Sequence, residues 1–341
     1  MTPAQQWQVA ARHPKGLSCI IPWEGFADTY RDAARHGGIL SNGFFEYWRP
    51  RQVESNQYGL PGRASRNWGE DTIEGELSAE ELAGNRTNLV EALEERRYRD
   101  HEAFASVNIH LEDIDIPLLT VANWGGILLH LRGNVQGFLH AGSELRYIRF
   151  IEVELQRSFL DAFCKGDDKV GWSRKGEVPP VDFLLRKGNK CFNNPTSEAT
   201  FPRRFENEWP IARTRYTDYY LHPDHSLTTT RPDVSKPTNL TALHASSTIP
   251  SDLDLFLTLR HLDKHGKEIF YTGTIGDPAP ITNGWLRVSL RKTNESGFHH
   301  EPWLPQHEYR SSDVQPVIPN DVYAVDVEMW PTNVVVEKVV G

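Results

Sequence analysis

Cysteine is scarce in this chain: Cys19, Cys164 and Cys191 are the only three in 341 residues, odd in number and far apart in sequence. No CxxC pair and no Cys/His ligand spacing occurs, so neither a disulfide framework nor a metal site is expected, and a reducing compartment is the simpler setting. Long apolar runs are missing as well. No stretch approaches the roughly 20 apolar residues of a membrane-spanning helix. The opening Met1-Thr2-Pro3-Ala4-Gln5-Gln6-Trp7 lacks the cationic start and apolar core of a secretory signal. A net charge of −9 leaves no basic surface for nucleic acid or anionic lipid. Even the arginine-rich stretch Glu95-Arg96-Arg97-Tyr98-Arg99 carries its own acid and reads as a solvated helix face. Together these absences point to a cytoplasmic protein with no nucleic-acid and no membrane partner. What the chain does have is aromatics. Ten Trp, eleven Tyr and fifteen Phe are more than a disordered chain carries, and the length suffices for two domains.

Residues 3–12 read as a helix with proline in its first turn, stopped by His13-Pro14-Lys15-Gly16. Leu17-Ser18-Cys19-Ile20-Ile21-Pro22-Trp23 is then a continuous apolar run, the pattern of a strand buried on both faces. Ile116-Pro117-Leu118-Leu119-Thr120-Val121-Ala122 is a second such run, and Leu145-Arg146-Tyr147-Ile148-Arg149-Phe150, interrupted by two arginines, is a third strand of weaker pattern. Helical patterns over about 131–141 and 151–164 follow the last two strands, so strands alternate with helices as in parallel βαβ units. Between the first two strands, Ser78 with Glu81 three residues on forms a capping box, and residues 88–95 continue helical. This segment reads as a helical insertion over the sheet. From about Val178 the texture changes to short runs of period two, among them residues 215–221, 253–259, 285–289 and 322–329. Such runs, divided by Gly, Pro and Asn, predict an antiparallel β-sandwich.

A fold of this kind with a serine nucleophile needs a G-x-S-x-G elbow, then an acid and a histidine after later strands. None is present. Gly16-Leu17-Ser18-Cys19-Ile20 lacks the second glycine and leads into a strand, where Ser18 reads as part of the sheet edge. His299-His300-Glu301 has no third ligand at a useful spacing, and neighbours in extended chain face opposite ways. Asp167-Asp168 and Glu94-Glu95 read as solvated pairs. Gly37-Gly38 and Gly125-Gly126 are too short for phosphate loops. His36, His130 and His140 read as capping or packing histidines. The expectation is no catalytic residue, no metal and no cofactor.

Several stretches, in family order from end to end, resemble the CocE/NonD hydrolases, which include cocaine esterase and the X-Pro dipeptidyl-peptidases. They are Ile20-Ile21-Pro22-Trp23-Glu24-Gly25, Asp28-Thr29-Tyr30-Arg31-Asp32, Arg35-His36-Gly37-Gly38, Asn123-Trp124-Gly125-Gly126 and Leu131-Arg132-Gly133-Asn134. Further on come Glu208-Trp209-Pro210, Gly284-Trp285-Leu286-Arg287 and Asp326-Val327-Glu328-Met329-Trp330-Pro331-Thr332. The resemblance implies an α/β plus all-β protein. A partial α/β-hydrolase domain over 1–175, with a helical cap over about 26–112, would precede a C-terminal jelly roll over 178–341.

It also implies what is missing. The nucleophilic serine would stand in a G-x-S-Y motif just before the helix that starts near Gln5, so Met1 falls past it. The acid would occupy the place of Gly126, and the histidine a loop after Phe150, where the chain runs straight into Ile151-Glu152-Val153-Glu154. Glu337-Lys338-Val339-Val340-Gly341 would stop short of the last jelly-roll strands. Intact relatives would act on a small ester or X-Pro peptide substrate, and Trp23, Glu24, Trp124 and Phe138 would line an acyl pocket. Core packing is the plainer role for the tryptophans. A binding role for the β-sandwich, through Tyr216, Tyr219, Tyr220, Trp285 and Trp303, is the competing expectation, and a gene-model fragment is the third.

Overall fold

A computed structural model of the chain describes residues 3–49, 78–84, 88–150, 155–222, 224, 226–231, 252–294, 301, 303–318 and 321–337. Helix α1, Pro3–Ala10, buries Ala4, Trp7 and Ala10 on one side. Those positions are three apart, the stripe an amphipathic helix presents to a core. Trp7 is fully buried and donates its indole N–H to the carbonyl of Gly25. Helices α2, Ala79–Gly84, and α3, Leu89–Glu95, lie in the inserted segment. The expected capping box forms: Ser78 Oγ accepts from the Glu81 N–H at 3.2 Å, and Glu81 accepts from the Ser78 N–H at 2.8 Å.

The central sheet is built by β1, Leu118–Ala122, and β2, Arg146–Phe150, joined by α4, Leu131–His140; α5, Leu155–Lys165, follows β2. All five residues of β1 are buried, because α4 covers one face and α5 the other. Leu119 and Val121 pack with Tyr147, Phe159 and Trp172, while Ala122 packs with Leu131, Val135 and Phe138. That two-sided burial explains the unbroken apolar run. β1 and β2 pair in parallel from Leu118↔Arg146 to Ala122↔Phe150. The run 17–23 flanks β1 through bridges at Ile20↔Leu118 and Trp23↔Val121. Pro22 lacks an N–H and contributes only its carbonyl, which accepts from Val121.

The sheet does not end at residue 178. Strand β3, Val181–Leu184, adds parallel to β2, and β4, Arg203–Glu206, closes the order antiparallel. A texture change in sequence therefore falls inside a sheet, because an antiparallel edge strand alternates even when its neighbours do not.

The C-terminal part is a β domain of small open ladders. Its longest is β5, Asp254–Leu259, against β6, Thr282–Arg287, antiparallel from Asp254↔Arg287 to Leu259↔Thr282. β6 alternates buried and half-buried residues, as its period of two requires. Of residues 215–221, only Tyr220–Leu221 is a strand, and residues 322–329 touch the ladder at a single bridge, Gly284↔Met329. Asp326 instead gives its carbonyl to the imidazole of His307 at 2.8 Å. His299 and His300 lie outside the described residues, as do Ile151–Glu154. Among the described residues no helix is long and apolar enough to cross a membrane.

Candidate functional site at the carboxyl edge of the sheet

In parallel α/β sheets ligands bind outside the carboxyl ends of the strands. Here that edge carries Glu24, Asn123 and Trp124. Glu24 stands at the end of the run that bridges to β1, its N–H donating to the Val121 carbonyl at 2.8 Å. Its φ of 48° is left-handed, a conformation that costs a residue with a Cβ on the order of 1 kcal/mol. Burial pushes the Glu24 carboxyl up, and a hydrogen bond with the Asn123 side chain holds it back.

What enforces this turn is Asn134, fully buried on α4. Its Oδ1 accepts from the Gly25 N–H at 3.2 Å, and its Nδ2 donates to the Pro22 carbonyl at 3.0 Å and to Thr120 Oγ1 at 2.6 Å. One side chain thus locks both sides of Trp23-Glu24 to β1. Gly133, beside it, must be glycine: a Cβ there would stand 2.6 Å from the Phe26 Cα and from Asp32 Oδ2.

The aromatic residues proposed for the pocket pack on both faces of the sheet. Trp124 lies stacked on Phe150 at 3.7 Å and packs with Phe183 and Trp209, and Phe138 belongs to the same core. Trp23 packs with the cluster on the opposite face of the sheet, beside Leu119 and Tyr147. The Trp124 Nε1 and His130 Nδ1 atoms are buried without a hydrogen-bond partner. Burial pushes His130 down to about 4, so it is neutral at pH 7. Ser18 is exposed at the amino end of its run, across the sheet from Glu24. A cleft of about 680 Å³ opens at that amino edge, lined by Phe138, Arg146, Tyr147, Trp209 and Glu301. A second, of about 440 Å³, lies between the insertion and the β domain, lined by Asp28, Tyr30, Arg99, Phe104, Asn108 and Arg310. No cluster of three or more His, Cys, Asp or Glu able to hold a metal ion occurs among the described residues.

Sequence reading missed a buried ionic brace. Arg132 on α4 donates from Nη1 to Asp32 at 2.9 Å and from Nε to Glu328 at 2.7 Å. Asp32 also accepts from the Ala27 and Asp28 N–H groups. Burial, opposed by Arg132, pushes the Asp32 carboxyl up to about 6. Next to it, Asp28 receives Arg31 at 2.7 Å and Arg99 at 3.1 Å, and Arg99 continues to Glu308 at 3.2 Å. Burial works against the Asp28 charge, but Arg31 and Arg99 outweigh it and hold the carboxyl well below the usual range. His36 completes the junction. It packs against Trp285 and Trp330 of the β domain, with Nε2 at 3.1 Å from the Asp32 carbonyl. Burial pushes it down to about 4. The only sequence signal for this brace is that Asp32, Arg132 and Glu328 each fall inside a stretch carrying the family resemblance.

A parallel sheet between helices, with an inserted helical segment and a β domain fastened to it by buried charge, defines an α/β-hydrolase type of chain with a C-terminal β domain. Comparison with known proteins is specific. Residues 4–145 match the X-Pro dipeptidyl-peptidase (S15 family) model, and residues 238–338 match the X-Pro dipeptidyl-peptidase C-terminal non-catalytic domain. Two crystal structures of a CocE/NonD family hydrolase from Staphylococcus aureus superpose with TM-scores of 0.71 and 0.72, at 22% and 23% identity. Each covers 97% of this chain, which in turn spans 60% and 59% of theirs. No curated protein matches. The chain therefore has the CocE/NonD, X-Pro dipeptidyl-peptidase-like fold, and two of its segments are similar to the S15 peptidase and X-Pro dipeptidyl-peptidase C-terminal models.

Proposed function

We propose that this chain is a serine hydrolase by descent, of the kind that transfers acyl groups from small esters or X-Pro peptides, and that it does not itself catalyse that transfer. One observation carries the second half: the carboxyl edge of the sheet presents Glu24, Asn123 and Gly126, no serine stands among the described residues of those turns, and the histidine that ends the turn after β1, His130, is kept neutral by burial. The connection after Phe150 reads Ile-Glu-Val-Glu and adds no histidine. Acyl transfer needs a nucleophile, and losing one triad member alone costs on the order of 10⁴ in rate. Trp23, Glu24 and Trp124 then mark the rim of a former acyl site, with Phe138 in the core behind Trp124; the β domain beyond β4 is a jelly roll, and the setting is the cytoplasm.

The test is direct. The purified chain is given p-nitrophenyl esters and an X-Pro chromogenic peptide, and the expected result is no release above buffer. Turnover abolished by a serine-directed fluorophosphonate would overturn the proposal.

A binding role has one observation in its favour. Tyr216 and Tyr219 are 62% and 60% exposed. Aromatic faces open to water suit a stacked ligand such as a sugar ring. Trp285, by contrast, packs edge-on against Trp330 at 5.5 Å and is engaged with His36.

A further inference from the structure

Folding brings together two of the three cysteines. Cys19 lies in the run 17–23, next to its first bridge to β1 at Ile20, and Cys164 is the penultimate residue of α5, yet their sulfurs are 3.8 Å apart across 145 residues of chain. Both are free thiols; Cys19 is buried and Cys164 exposed. We infer that they form a thiol–disulfide couple, a dithiol that closes on exchange with a small disulfide such as glutathione disulfide.

Closing from 3.8 Å to the roughly 2.05 Å of a disulfide needs about 1.8 Å of approach. The helix end is where it can come from: Cys164 is exposed in the last turn of α5, and Gly166, in the left-handed region at φ 72°, ends the helix two residues on. Cys19 is the fixed member, packed among Leu119, Phe159, Ala162 and Trp172.

The order of events follows from exposure. The Cys164 thiolate attacks one sulfur of glutathione disulfide; the old S–S bond breaks and one glutathione thiolate leaves and takes up a proton. Cys19 then gives its proton to solvent, its sulfur attacks the Cys164 sulfur, and the second glutathione departs. Two electrons pass from the dithiol to glutathione, and the protein loses two hydrogens. Burial and the neighbouring sulfur push the Cys19 thiol up to about 12, so it is a thiol at pH 7 and the second step is the slow one.

The bond would tie the amino side of the sheet to α5 and close a loop containing the inserted segment, β1, α4 and β2. Closing a loop of that length restricts the unfolded chain and raises the melting midpoint.

The experiment uses the full chain with Cys191→Ser, which removes the third thiol, incubated with glutathione disulfide and mapped by mass spectrometry without reduction. The expected product is one species lacking two hydrogens, its Cys19 and Cys164 peptides joined, and melting several degrees higher than its reduced form. In the same background Cys164→Ser, a change at an exposed position, gives no cross-link and no rise. Cys164 held as a stable mixed disulfide with glutathione, with Cys19 alkylated after denaturation, would overturn the inference. So would a Cys164-linked dimer or an unreacted dithiol.

Discussion

Arg132→Met tests the brace most sharply. The substitution keeps most of the volume of the aliphatic stem and removes the guanidinium that joins Asp32 to Glu328. The Asp32 side chain is wholly out of contact with water, and those of Arg132 and Glu328 are 9% and 11% exposed. Breaking a buried pair by deleting one partner costs about 3–5 kcal/mol, because the charge left behind is uncompensated. For a chain of this size that corresponds to roughly 6–10 °C in melting midpoint, at about 2 °C per kcal/mol. The loss is bounded, since Asp32 can escape by taking up a proton. Its carboxyl already stands at about 6 with Arg132 present, and without the cation it rises further. The cost should therefore shrink as pH falls from 7 to 5.

Urea unfolding at both pH values is the assay, with Asp32→Asn and the double variant completing a cycle. A coupling of more than about 1 kcal/mol at pH 7 is expected between residues in contact. The exposed pair Lys169–Asp167, at 2.8 Å, is the control, and Lys169→Ala should leave the midpoint unchanged. A coupling near zero, or a cost that does not change with pH, would refute the reasoning.

Asn134→Ala strands the Gly25 N–H, the Pro22 carbonyl and Thr120, at about 1–3 kcal/mol for each buried group left unpaired; a loss under about 1 kcal/mol in urea unfolding would mean the turn holds itself. His36 is neutral when folded, with its pKa lowered from 6.5 to about 4. The unfolded chain therefore binds the proton first as pH falls. The stability tied to neutral His36 is complete above 6.5 and is lost on descent through 4, by at most about 3 kcal/mol. Asp32, raised, works in the opposite sense between about 4 and 6, so the clean measurement is the difference between the parent and His36→Gln across pH 7 to 4. A difference that stays flat with pH would exclude a buried neutral imidazole.

The elements of the α/β part were legible because their burial is two-sided or striped. A continuous run marked β1, a run broken by arginines marked β2, a stripe three residues apart marked α1, and Ser78 with Glu81 marked a helix start. Legibility failed where the partner lay far along the chain. Alternation in 322–329 says which side chains share a face, yet the carbonyl of Asp326 is taken by His307 rather than by a strand. At the site, the resemblance gave Trp23 and Trp124 as lining of an acyl pocket, and sequence says nothing of their packing on opposite faces of one sheet. Nor does sequence mark an acid as buried. Asp32 looks like any surface aspartate until Arg132, 100 residues on, is seen to meet it.

The brace also sets a schedule for synthesis. Asp32 leaves the ribosome first, Arg132 follows 100 residues later, and Glu328 another 196 after that. At roughly 5–20 residues per second, Asp32 and Arg132 wait about 10–40 s for the third member. During that interval the face that will receive the β domain offers buried-type charges and uncovered aromatic surface to whatever is nearby. That face can be covered only once the segment carrying Glu328 and Trp330 has been made.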